Sequence, residues 1–208
     1  MPMNVARVSM RTRCMALLLA VLSCVGIEIA HAQRSVHGVA LPQFVHVPAL
    51  DAHLRLAGAT IVDRHYLPFQ VVALYVGREA VDAQFLSSGM GRCRIEIHWL
   101  GPALDPAGAD AWWQAQFVRA QPDTAARQRL GDALRRVAAS AGDAQRGSVL
   151  TIDYDPEAGL FVSRGGGQPA RFAGLELART VLAVWLGPGA GAMRDELLGT
   201  TSAAPRNE

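Results

Sequence analysis

Half of the 208 residues are apolar and only 18% are charged, which is enough hydrophobic material for one well-packed domain and too little charge for a disordered chain. The formal charge of +2 resides in residues 1–32; without their three arginines and one glutamate, 17 basic face 17 acidic side chains. Such a balance gives no electrostatic footprint for nucleic acid or an anionic membrane, and the absence of lysine excludes Schiff-base, phosphate-cradling and general-base lysines.

The chain begins with Arg7, Arg11 and Arg13, followed by a mostly apolar run over 15–26 and the small-x-small site Ala30-His31-Ala32. This is the pattern of an export signal over 1–32, cleaved before Gln33, and it predicts a periplasmic or secreted product. The run is shorter than the roughly 20 residues of a spanning helix, so no stable membrane insertion is expected after cleavage. Lipidation at Cys24 is the alternative. Beyond the signal Cys93 is the sole cysteine, which excludes an intramolecular disulfide and paired-cysteine zinc sites. Its neighbours Arg92 and Arg94 could lower the thiol pKa, whereas a strand-start cysteine packs inward.

Residues 43–47 and 53–56 alternate around Pro48-Ala49-Leu50-Asp51 and predict a hairpin. Residues 59–76 read as the longest strand, with Pro68 marking a bulge, edge or bend because proline cannot donate to a ladder. A short helix is expected over 80–87 and a strand over 93–100, with Ile95, Ile97 and Trp99 on one face. Asp105-Pro106 is an N-cap followed by proline at the first helical position, opening helices over 106–119 and 124–141. A hairpin of 148–154 with 159–163, a short strand over 170–172 and helices over 175–186 and 192–198 complete the pattern. Strands at both ends around a central helix pair predict an α+β domain over 33–199, with 200–208 a flexible tail.

Gly58, Arg64 and Ala73-Leu74-Tyr75, followed by Val184-Trp185-Leu186-Gly187 and Leu197-Leu198-Gly199, resemble in order and spacing the bacterial chalcone isomerase-like family of exported proteins. The resemblance covers 36–199. It implies a curved, mainly antiparallel β-sheet with helices packed on one face and a ligand cleft between the layers. Two positions depart from the family pattern: Val62 stands at the best match for its strand arginine, with Arg64 two residues on, and Leu100-Gly101-Pro102 replaces a Leu-Arg-Asp stretch.

The resemblance implies a fatty acid or similar small apolar acid as ligand, without cofactor or catalytic residue. Arg64 could hold its carboxylate through two parallel N–H···O bonds, the alternative being a rim arginine in solvent. Tyr66, read on the same strand face as Arg64, and Tyr75 could hydrogen-bond the ligand, the alternative being buried rings with incidental partners. Trp112 could cap the cleft, with core packing the alternative. An intramolecular lyase of the chalcone isomerase type would need a base and donors that polarise a ketone. A structural or partner-binding envelope protein would need neither site nor ligand. Oligomeric state is not encoded in any motif. His37, His46, His53, His65 and His98 lack metal-ligand spacing, and Gly165-Gly166-Gly167 lacks the strand–loop–helix context of a phosphate loop.

Overall fold

The computed structural model describes residues 33–78 and 82–200. The expected export signal, Cys24, the tail beyond Thr200 and the first residues of the 80–87 segment lie outside them.

Gln33–Val36 (β1) and Val39–Pro42 (β2) form a separate antiparallel hairpin. Seven strands then pair antiparallel in simple chain order: Phe44–Val47 (β3), Ala52–Arg64 (β4), Leu67–Val76 (β5), Cys93–Trp99 (β6), Val149–Asp155 (β7), Gly159–Arg164 (β8) and Ala170–Phe172 (β9). The helices are Ala83–Ser87 (α1), Pro106–Ala120 (α2), Thr124–Ala141 (α3), Leu175–Leu186 (α4) and Ala192–Leu197 (α5). The α2 helix starts as its sequence dictates, with Pro106 in the first turn and the Asp105 carboxylate accepting from the Gly108 N–H at 2.7 Å. Asp123 caps α3 in the same way through the Ala125 N–H at 2.9 Å.

Strand alternation sorts the side chains into two cores. Val72, Leu74, Ile95, Ile97, Trp99 and Ile152 face the helices and pack against Trp113, Phe117, Val137, Val181 and Trp185. Val71, Ala73 and Tyr75 face the other way, against Leu41 of β2, Val47, Leu50, Leu54 and Leu56. The expected helices-on-one-face sheet is therefore present, and hairpin β1–β2 with the 3₁₀ turn Pro48–Leu50 covers part of its second face. Burial on both faces explains why 71–76 is an unbroken apolar run.

The single strand expected over 59–76 is corrected to a hairpin. Arg64 pairs with Leu67, leaving His65 and Tyr66 as a two-residue turn with φ of 51° and 64°. Both sit in the left-handed region, the backbone of a tight hairpin turn usually supplied by Asn-Gly. Pro68 lies beside a register shift rather than in regular ladder: Val62 pairs with Gln70 and Asp63 with Pro68, so Phe69 is the extra residue of a bulge.

The C-terminal helix is pinned to the sheet through glycine. A Cβ on Gly58 would lie 2.3 Å from the Glu196 carbonyl oxygen and 2.6 Å from that of Leu197. Two residues on, the Thr60 hydroxyl hydrogen-bonds the Glu196 carboxylate. The Gly58 and Leu197-Leu198-Gly199 motifs, far apart in sequence, thus touch in space.

On the opposite sheet face Arg94 and Asp153, direct partners across β6 and β7, form a bidentate pair: Nε donates to Oδ1 at 2.6 Å and Nη2 to Oδ2 at 2.9 Å. Their side chains are only 15% and 5% exposed.

Candidate ligand-binding site

A cleft of about 720 Å³ lies between the end of β4 and α2, inside the roughly 300–1,000 Å³ typical of small-molecule sites. Ile61, Val62, Asp63 and Arg64 form one wall, with Phe69 beside them. The facing wall is a single helical stripe, Gly108, Trp112, Ala115 and Arg119, spaced four, three and four residues apart. Ala190 and Met193 close the end nearest Arg119, whose backbone abuts Gly189. At 1.5 Å per residue the stripe makes the cleft about 16 Å long, long and narrow rather than round.

Arg64 stands exposed at the β4 end, its guanidinium 5.2 Å from the Phe69 ring centroid. Among the described residues it forms no ion pair. Arg119 donates to the Gln116 side-chain oxygen at 2.6 Å and has no carboxylate partner among those residues. Both cations are therefore available to an anion. Asp63 is the sole carboxylate among the lining residues, and no histidine, cysteine or tyrosine lines the cleft.

The structure brings Arg64 and Trp112 together in this cleft and leaves the other two expected residues outside it. Tyr66 is fully exposed at the hairpin tip, because its left-handed turn takes it out of the strand alternation that would have aligned it with Arg64. Tyr75 is fully buried on the opposite face, and its hydroxyl has no hydrogen-bond partner. Burial raises its pKa well above the ordinary range; the nearby Glu96 charge adds to this and Arg94 opposes it. Trp112 is half-buried, its ring 5.6 Å from Trp99 and 5.0 Å from Trp113, whereas Trp113 belongs to the core beside Phe117 and Trp185.

Sequence reasoning missed Arg119, although its helical spacing from Trp112 carried the signal. It also missed Gln70, 99% buried opposite Val62 and Trp99, with its amide nitrogen unpartnered. Cys93 points inward and is fully buried; burial, with the Asp153 charge adding to it, pushes the thiol up to about 12, so it is inert as a nucleophile at neutral pH. Among the described residues no cluster of three or more His, Cys, Asp or Glu could hold a metal, and no helix is long and apolar enough to cross a membrane.

Trp112 lines both the cleft and a small cavity of about 20 Å³ beneath it, bordered by Trp99, Trp113 and Ala141. Trp112→Ala is expected to merge the two spaces and deepen the site. A longer acyl probe should then gain affinity relative to a short one, as read by competition of chain-length series against a fluorescent fatty acid. An unchanged chain-length profile would place the ligand elsewhere.

A curled seven-strand antiparallel sheet, helices over one face and a cleft between them define an open-faced, chalcone isomerase-type architecture. A family model described as chalcone isomerase-like matches residues 33–199, and the chain belongs to that family. Among solved structures, the crystal structure of a fatty-acid binding protein of Arabidopsis thaliana matches with a TM-score of 0.61 and 14% identity. The match covers 81% of this chain and 97% of that one, a likeness of fold. No curated protein matches the sequence.

Proposed function

We propose that this chain is an exported, non-catalytic carrier that holds a fatty acid or similar small apolar acid in the cleft between β4 and α2. The observation that carries this reading is the pairing of an elongated slot, walled by Val62, Phe69, Trp112 and Met193, with two arginines that lack carboxylate partners, Arg64 and Arg119. Apolar walls would take a chain, and a guanidinium fork suits a carboxylate. The fold of the plant fatty-acid binding protein supports the ligand class, and the basic–apolar–small pattern of residues 1–32 supports export. Ring closure of a chalcone would need a base and donors to a ketone; among the lining residues Asp63 is the one carboxylate, beside Arg64, Arg119, Gln116 and the Trp112 indole as donors, with no histidine or tyrosine for proton transfer.

The test begins with the full chain expressed in a heterologous periplasm, followed by mass spectrometry of lipids released on denaturation. A stoichiometric fatty acid is the expected finding. Arg64→Ala should then weaken binding by about tenfold: a charge-assisted hydrogen bond contributes about 1.5–3 kcal/mol, and exposure places Arg64 at the lower end. Calorimetric titration reads this directly. A wild-type protein that neither retains nor takes up fatty acids would overturn the binding reading; full affinity in Arg64→Ala would move the anchor to Arg119.

A further inference from the structure

The turn that removes Tyr66 from the cleft also builds an unusual surface. His65 and Tyr66 both adopt positive φ, where a side chain is disfavoured relative to glycine. An Asn-Gly pair would make the same hairpin without that strain. The strained tip presents Tyr66 at 100% exposure and Leu67 at 68%, with Arg64 on one side and its neighbour His65 also exposed. The same strand supplies the cleft wall, so the tip is continuous with the mouth of the site.

We propose that this tip is a membrane-docking element, through which the carrier collects its ligand from, or delivers it to, a lipid bilayer surface. The inference rests on the fatty-acid reading of the cleft. Tyr66 has the amphipathic ring that settles at the interface between headgroups and acyl chains, Leu67 the apolar side chain that enters it, and Arg64 the charge that meets lipid phosphate. Two protruding side chains are far too few for a stable protein interface, which buries about 800 Å² on each partner, yet they suffice for a touch. The near-neutral charge of residues 33–208 makes that contact brief and reversible. A carrier needs such a contact, since a permanently bound one would deliver nothing.

All described elements lie within 33–200, so the leaderless chain 33–208 serves for the test. Flotation of the unliganded protein with vesicles of phosphatidylethanolamine and phosphatidylglycerol reads docking without reference to the ligand. Stopped-flow transfer of an anthroyloxy fatty acid to those vesicles reads its use. Wild type is expected to float in part, and to transfer at a rate that climbs with vesicle concentration, the signature of collision. Tyr66→Ser with Leu67→Ser should cut flotation and transfer by about tenfold or more, since withdrawing each such side chain from the apolar phase is worth about a decade in partition. Affinity for the same probe in buffer should be unchanged. His65→Asn with Tyr66→Gly relaxes the turn but keeps Leu67, and should raise the melting midpoint while cutting flotation by less than the serine pair does.

Wild-type transfer independent of vesicle concentration, or variants as fast as wild type, would overturn the docking proposal. Tip-dependent flotation by a protein that fails to bind the probe in buffer would support docking while removing the fatty-acid reading.

Discussion

Gly58→Ala is expected to lower the unfolding free energy by about 3 kcal/mol, the upper end of the range for an overpacked site. The size follows from what the new methyl group meets. Its three nearest atoms are the Glu196 oxygen at 2.3 Å, the Leu197 oxygen at 2.6 Å and the Leu197 carbonyl carbon at 2.9 Å, all of them backbone. A flexible side chain could swing aside; a helix backbone moves only as a body. Relief would require α5 to lift from β4, breaking the Thr60–Glu196 hydrogen bond and exposing the fully buried Leu197. Met193, on the same helix, lines the cleft. Urea denaturation should therefore show the lost stability, and fatty-acid titration should show a weakened site under conditions where the variant is still folded. A variant as stable as wild type would mean that α5 does not rest on Gly58 as described.

Asp153→Ala should be at least as damaging, costing about 3–5 kcal/mol, the range for removing one partner of a buried ion pair. Arg94 would keep its charge under 15% exposure while losing both hydrogen bonds that Asp153 accepts. The cost is that of a largely buried cation that has lost its hydrogen-bonded partner and keeps only the nearby charge of Glu96, rather than the worth of the pair, and this distinction can be measured. Replacing both members, with Arg94→Met and Asp153→Leu, should recover most of the loss, because the double variant buries no charge. Denaturation midpoints of the two single variants and the double variant, taken as a cycle, decide it. A double variant no better than Asp153→Ala alone would show that the pair fixes the β6–β7 register as well as its own charge.

How much of this was legible in the sequence depended on the kind of signal. Strand β6 announced itself through Ile95, Ile97 and Trp99, and α2 through Asp105-Pro106, because period and capping are local properties. The β4–β5 turn was not legible: His65-Tyr66 is an improbable pair for left-handed backbone, and the apolar residues on either side read as one strand. That single misreading placed Tyr66 beside Arg64. Tyr75 failed for another reason. Its strand was identified, but which face the helices would cover is a tertiary fact, and β5 is buried on both. The hairpin β1–β2, which helps make the second face an interior, was missed although Gly38 marks its two-residue turn with His37, both at positive φ. Arg64, singled out by the family resemblance, and Trp112, singled out at the head of its helix, both line the cleft.

The order of pairing in the sheet sets a schedule for the chain as it is made or threaded from its N-terminus. Each strand from β4 to β9 pairs with the strand before it, most of them through short loop closures, the fast kind of folding step, while β7 reaches β6 only after α2 and α3 have been made. The clasp between α5 and β4 is longer in range still, joining residues 136 positions apart at the Thr60–Glu196 bond. It closes only when nearly the whole chain has emerged. Since α5 brings Met193 to the end of the slot, the cleft between β4 and α2 is complete only once that clasp has closed.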